Sequence, residues 1–461
     1  MHLTSLGHAS WLIEAAGLRL LCDPLLELDH YSGVFEVTPP RRLDAERLRP
    51  DFILVSHAHP DHFDVPSLAT LARLDPESVV VTPDALVAES ARALGFTTVH
   101  QIPAGQRIEL DGALLVTTES LAPDEWGVMI ADQQGVVWNQ VDSVFSGPEH
   151  ARAVAAVALA ALGRERVDLA LVMGRPMHEV AAQIGEAIGF PYGDYAKLLA
   201  ELAAIEPAAI IPASADTAHA AAFGWLNAIV YPVGVDRFLR DAARACPRAR
   251  MFEPALGGRW TLRGGEVSFD EGGGADLIEA LGPAVDRNYR PFAIPELRDF
   301  GGADEFDHLD HLDRLDHRRA QVRAWIEADL CPALQANYPH FGVEQPLRFV
   351  VEAVFGSQAP GGGDAYTLIV DGDEARVRPG ADPDWDLYNL VAGTMLWEVI
   401  AGRRSWGELL LAGALRAATR AYSMATGELT RANVGEIFLY YALPYDDSVR
   451  RAVAWQLRDR A

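Results

Sequence analysis

Cysteine is nearly missing from this chain. Cys22, Cys246 and Cys331 are the whole set, far apart and never in a C-x-x-C pair. Such an odd, scattered trio argues against a disulfide framework, a zinc ribbon and a Rieske cluster, the last of which needs paired cysteine and histidine ligands. Long apolar runs are missing as well: no stretch reaches the about 18 uncharged apolar residues of a membrane-spanning helix. The opening MHLTSLGHASWLIEAAG has no basic segment followed by an unbroken apolar core, so no signal peptide is expected and the cytoplasm is the expected location. Positive charge is scarce, with 39 Lys and Arg against 65 Asp and Glu and a net charge of −26. That balance excludes the broad basic face of a nucleic-acid or anionic-membrane binder. No G-x-x-x-x-G-K-[ST] loop and no G-x-S-x-G elbow occurs, and GGGAD and APGGGD lack a strand before and a helix after them, so they read as linkers.

What is present is an ordinary globular composition, 49% hydrophobic and 23% charged, in 461 residues, too many for one comfortable core. Residues 1–265 alternate short strands (HLTSLG, SWLIEAAGLRLLCDP, DFILVSH, ALLVTTES, VDLALVMG, AAIIPASAD) with helical segments (DVPSLATLARL, PDALVAESARALG, EHARAVAAVALAALG, YGDYAKLLAELAAIE), which predicts an α/β chain folded as an αββα sandwich. Residues 266–343 read as a mixed, largely helical connection containing one long helix at HRRAQVRAWIEADLCPALQANY. Residues 344–461 read as a small α+β domain: a hairpin at AYTLIVDGDEARVRPG, then helices at DWDLYNLVAGTMLWEVIAGR and SWGELLLAGALRAATRAYSM. FDHLDHLDRLDHRR, with His308, His311 and His317, invites a metal reading. Its three-residue period drifts around a 3.6-residue helix, so the stretch reads as a solvated helix start.

The chemistry concentrates at LVSHAHPDHFD, which places three of only 14 histidines within six positions behind an apolar strand. His57 and His59, at i and i+2 in extended chain, point to one side and can grip one metal ion; Asp61 and His62 follow where the chain turns and can reach a second. Trp126, Trp138 and Trp225 lie near the site in sequence and are candidates to wall a pocket, although tryptophans of this kind are usually core.

H-x-H-x-D-H after a strand resembles the signature of the metallo-β-lactamase superfamily. LGHASWLIEAAGLRLLCDPLL, with Gly7-His8 and Asp23-Pro24, is similar to the start of its lactonase-like branch, and NQVDS resembles the N-x-V-D segment of CMP-N-acetylneuraminate hydroxylases. The resemblance covers residues 1 to about 260. It implies a dinuclear site bridged by Asp142, a last histidine ligand at His219 (with His178 as competitor), and a position outside the first ligand shell for His8. It also exposes a departure. The hydrolases place a histidine on the strand before the bridging aspartate, and LLVTTESLAPDEWG has none; Glu119 stands about where it belongs, with Asp124 and Glu125 as alternatives. A carboxylate there shifts preference from zinc toward iron or manganese, and a similar exchange marks the superfamily's di-iron oxygenases.

The expectation is therefore a dinuclear metalloenzyme holding His57, His59 and Glu119 on one ion and Asp61, His62 and His219 on the other. Asp142 bridges them, and Asp61 and Asp142 serve the chemistry. The leading reading is a di-iron oxygenase using O₂ on a small organic substrate, free or carrier-bound, with an external electron donor. The alternative is a lactone or phosphodiester hydrolase using a metal-activated water. A non-catalytic metal carrier is a third reading. The tail resembles sterol-carrier-like modules.

Overall fold

The structure, a computed structural model, describes residues 1–461 except 175, 179, 215, 288, 300–310, 426, 459 and 461, and describes 311–314 and 425 by backbone alone. The histidine-rich tract therefore falls largely outside the described residues, although His317 is exposed.

Two sheets face each other. One has eight strands in the order Glu266–Asp270, Arg259–Arg263, His2–Gly7, Ser10–Ala15, Leu18–Cys22, Phe52–Leu54, Val79–Thr82, Val99–Gln101. The other has seven: Arg107–Leu110, Ala113–Glu119, Trp126–Asp132, Gly135–Asn139, Leu169–Met173, Ala209–Ala213, Arg250–Met251. Period-2 alternation divides the inner strands of the second sheet between two cores. Val128, Ile130, Val137, Leu169 and Leu171 meet Trp11, Ile13 and Trp260 of the first sheet. Met129, Ala131, Val136, Trp138, Ala170 and Val172 meet the helices Pro148–Leu162, Tyr192–Ile205 and Val235–Ala245 on the outer face. Burial on both faces is why these strands read as continuous apolar runs. Helices Val65–Leu74 and Ala85–Ala93 cover the outer face of the first sheet through Leu68, Leu71 and Val87. The result is the αββα sandwich expected from the element order.

The C-terminal part holds a five-stranded sheet in the order Glu374–Pro379, Asp364–Asp371, Leu347–Val354, Leu387–Ala392, Leu415–Thr419, packed by helices Gly393–Ile400 and Trp406–Leu411. Two expected helices are shorter than their sequence patterns suggested. DWDLYNLVA is not helical: Leu387–Ala392 pairs in parallel with the apolar strand Leu347–Val354, and sheet burial overrides helical spacing. In SWGELLLAGALRAATRAYSM only Trp406–Leu411 is helical. Gly413, at φ +65, ends that segment, and Leu415–Thr419 becomes an edge strand. APGGGD, read as a linker, leads from the strand Leu347–Val354 into its antiparallel neighbour Asp364–Asp371. Likewise GGGAD lies against the sandwich, where a side chain at Gly274 would meet Thr4 and the Gly257 backbone. The long helix around residue 320 runs His311–Trp325, passes a π turn at Ile326–Leu330, and continues as Cys331–Asn337.

Candidate metal centre

The carboxyl ends of parallel strands converge at one edge of the sandwich, where open α/β sheets place their ligands. Asp23 follows the strand ending at Cys22, Ser56 to His62 follow Leu54, Asp142 follows Asn139, and Thr217 to His219 follow Ala213. Asp23 is the hub. Its Oδ1 accepts the Ser56 backbone N–H at 2.7 Å, and its Oδ2 accepts the Ser56 hydroxyl at 3.0 Å and faces His62 Nδ1 at 3.0 Å. Ser56 Oγ in turn meets His57 Nδ1 at 2.9 Å. One buried carboxylate thus fixes two imidazoles with their Nε2 atoms turned away from it, the second-layer arrangement typical of metal-bound histidines. The sequence carried Asp23-Pro24 as a landmark without showing this function.

His57, His62 and Asp142 place one ligand atom each within 4.8 Å of one another; so do His8, Asp61 and His62. His59, exposed at the mouth, points Nδ1 at His57 Nε2 from 2.8 Å. His62 Nε2 lies 3.2 Å from Asp142 and 3.5 Å from Asp61. Burial alone would lower the His62 imidazole, but Asp142 and Asp61 hold it well above its ordinary value. For Asp61 the balance runs the other way: burial would raise it, and His62 and His8 hold it well below the usual carboxylate range. His57, pressed by burial, His62 and His59, sits well below. Asp61 and Asp142 keep 19% and 22% of their side-chain surface open, so a small molecule can reach both.

Around Asp61 a further ring of side chains closes. His8 Nε2 meets its Oδ2 and the Tyr31 hydroxyl donates to its Oδ1, both at 3.1 Å. His8, Asp61, His30, Tyr31 and His219 line one small cavity. His219 lies in that cavity but outside both tight clusters: its Nε2 faces the Leu411 carbonyl at 3.2 Å, and its Nδ1 has no partner. His178 is turned elsewhere, with its Nε2 at the Gly189 carbonyl. His30 was not legible in the sequence, because LDHYSG has no ligand spacing. It is buried, neither ring nitrogen has a partner, and burial together with His8 pushes it down to about 3.

The carboxylate expected at Glu119 is the main revision. Glu119 closes its strand opposite Trp126, is exposed, and joins neither cluster among the described residues. Glu125, named as an alternative, is buried just before the next strand and accepts the Ser120 hydroxyl at 2.7 Å. Burial pushes it up to about 7, with Asp142 and Asp23 adding to the rise and Ser120 and His62 opposing it; the field of the site reaches it. The hairpin register contributes: Glu119 pairs with Trp126 at the strand end, and Glu125 precedes Trp126, whose N–H faces the Ser56 carbonyl at 3.4 Å. Asp124, also exposed, takes the left-handed turn at φ +53. Trp126 and Trp138 are core, and Trp225 packs against the C-terminal core, so none walls the metal clusters.

Two ions suit this donor set. His62 Nε2, Asp142 Oδ1, His8 Nδ1 and His219 Nδ1 are buried without a hydrogen-bond partner, a costly arrangement that a cation would relieve.

Residues 2–145 match the beta-lactamase superfamily domain. A protein of Mycolicibacterium smegmatis, named as a Rieske 2Fe-2S iron-sulfur protein, is 30% identical over 157 residues, 31% of this chain and 30% of its own length. A UPF0173 metal-dependent hydrolase of Opitutus terrae is 28% identical over 186 residues, 37% of this chain and 71% of its own. The solved structure of CmlA, a diiron beta-hydroxylase from Streptomyces venezuelae, is 19% identical, with a TM-score of 0.39 over 57% of this chain and 54% of that one. The chain thus spans about a third of the first of these relatives and about half of the hydroxylase. With its paired sheets, its flanking helices and its matched first 145 residues, the N-terminal sandwich has the metallo-β-lactamase fold.

Proposed function

We propose that the protein is a dinuclear metal-dependent enzyme and, more specifically, a di-iron oxygenase acting on a small organic substrate. One observation carries the finer reading. Glu125 is buried beside Trp126, whose backbone N–H faces the Ser56 carbonyl at 3.4 Å, and it feels the charges of Asp142, His62 and Asp23, on a hairpin that carries no histidine. Three carboxylates, Asp61, Glu125 and Asp142, make a hard, oxygen-rich set that favours iron or manganese over zinc. His57, His59, Asp142 and Glu125 would hold one ion; Asp61, His62 and Asp142, with His8 or His219, would hold the other. Two irons supply electron exchange with O₂ when bound. The chain's own part is to hold the donors: Asp23 orients His57 and His62, and Tyr31 and His8 fix the two oxygens of Asp61. An outside reductase or an electron-supplying substrate completes the scheme.

The hydrolase relative favours a second reading, a zinc-dependent hydrolysis. One experiment separates the two. Protein purified without added metal is analysed for iron and zinc, then reduced with dithionite and exposed to air while its visible spectrum is recorded. Near two irons per chain and a reversible spectral change support the oxygenase. Two zincs in a colourless, unresponsive protein support the hydrolase.

A further inference from the structure

The C-terminal part closes a cleft over the metal edge. A cavity of about 420 Å³ is walled on one side by His30, Tyr31 and Pro60, the last set between ligands His59 and Asp61, and on the other by Arg403, Arg404 and Trp455. His30 and Tyr31 also line the small cavity that holds Asp61 and His219, so these two residues form the wall between the cleft and the metal ligands.

Several charges in the cleft are already engaged, and Arg460, which also lines it, donates to the Gln456 carbonyl. Arg404 pairs with Glu398 and donates to the Ser32 carbonyl. Glu408 accepts from Ser32 and from the backbone of Ser405, and Asp64 accepts from Ser67. Asp29 stands exposed at the rim. Arg403 differs. Its guanidinium lies between two indoles, 4.6 Å from the Trp397 ring centre and 4.8 Å from that of Trp455, and no carboxylate is within ion-pair distance of it among the described residues. Stacking holds the planar fork in place while leaving its N–H edge free, the form in which arginine reads a carboxylate or phosphate. Phe63, Val65, Val449 and Val453 supply an apolar floor for the body of a ligand.

We propose that this interdomain cleft binds the substrate and that Arg403 holds an anionic group on it, a carboxylate or a phosphate. Calling the ligand a substrate rests on the metalloenzyme reading; the anion site itself does not. The test is calorimetric titration of the full-length protein with benzoate, with its neutral counterpart benzamide, and with inorganic phosphate. Benzoate should bind more tightly than benzamide. Arg403→Gln should weaken benzoate at least tenfold and leave benzamide unchanged, whereas Arg458→Ala, which removes another cation from Trp455 outside the cleft, should change nothing. Phosphate bound in place of benzoate, and lost in Arg403→Gln, would support the anion site and set the class as phosphate. Equal affinities for benzoate and benzamide, no anion binding by the wild type, or binding that survives Arg403→Gln but disappears in Asp142→Asn would overturn the proposal. Circular dichroism checks folding of each variant, and Arg403→Lys, which keeps the charge, should recover part of the binding if Arg403→Gln proves unstable. Metal content and the redox response of Arg403→Gln are read separately and should match the wild type, so failure of the anion site is distinct from failure of the metal reading.

Discussion

Asp23 is fully buried, yet it sets the direction of two candidate ligands through three contacts of 2.7–3.0 Å. Asp23→Asn replaces one of its acceptor oxygens with a donor. Metal affinity should fall about 10–100-fold, the usual cost of losing such an outer partner, as measured by competition with a chelator. The buried histidines give a pH prediction. His30 and His219 are both pushed down to about 3 from an ordinary 6.5, chiefly by burial. Groups lowered on folding add stability that is complete above pH 6.5 and drains away as pH falls toward 3. Glu125, at about 7, and Asp64, at about 6, act oppositely: their contribution is present at low pH and is lost as pH rises through those values. Comparing variants isolates one term. Between pH 6.5 and 4, the urea midpoint of metal-free His30→Phe should fall less than that of the wild type. Parallel curves would show that His30 is not held neutral. Metal binding must also displace the protons that His62 and Glu125 retain, so affinity should rise with pH and protons should be released, visible by calorimetry in buffers of different ionisation enthalpy.

The ligand segment is a loop anchored at both ends. It leaves the strand Phe52–Leu54, and it ends at Asp64, whose carboxylate caps the helix Val65–Leu74 by accepting Ser67 N–H at 2.9 Å, with Pro66 in the first turn. Asp64→Ala should cost about 1 kcal/mol of stability, the usual value of an N-cap, read as a lower urea midpoint. This element was legible because its strand, turn and cap signals all lie within one short window. The hairpin carrying Glu119 was not. Spacing located the strand end correctly, but which glutamate turns inward depends on the antiparallel register with Trp126–Asp132 and on the loop between, neither of which leaves a local mark.

At the scale of the molecule, the C-terminal sheet is not an independent body. Its apolar core joins Phe349, Leu387 and Leu411 to Tyr31, Phe35, Phe223 and Leu226 of the sandwich loops. Heating should therefore give one cooperative transition by calorimetry, not two. Glu408 is buried where the two parts meet, bonded to Ser32 across the cleft and closing the capping box of its own helix with Ser405. Glu408→Ala should lower the transition by the about 1–3 kcal/mol typical of leaving buried polar partners unmatched, and a second transition appearing in that variant would locate the coupling there.

The sequence alone determined the αββα sandwich, since strand and helix periods are local properties of the chain. It also determined the candidate cluster of His57, His59, Asp61 and His62, whose close spacing on one short segment ties them to one place. Tertiary structure decided everything that depends on segments far apart in the chain: Asp23 as the orienting carboxylate, His30 and Tyr31 beside Asp61, and the burial of Glu125 while Glu119 stays exposed. The strands of the C-terminal domain went unread for the same reason. Leu387–Ala392 has helical spacing on its own and becomes a strand because a parallel neighbour, Leu347–Val354, offers hydrogen bonds and apolar cover. Local pattern reports which face of an element is apolar, while the partner that buries that face belongs to the fold as a whole.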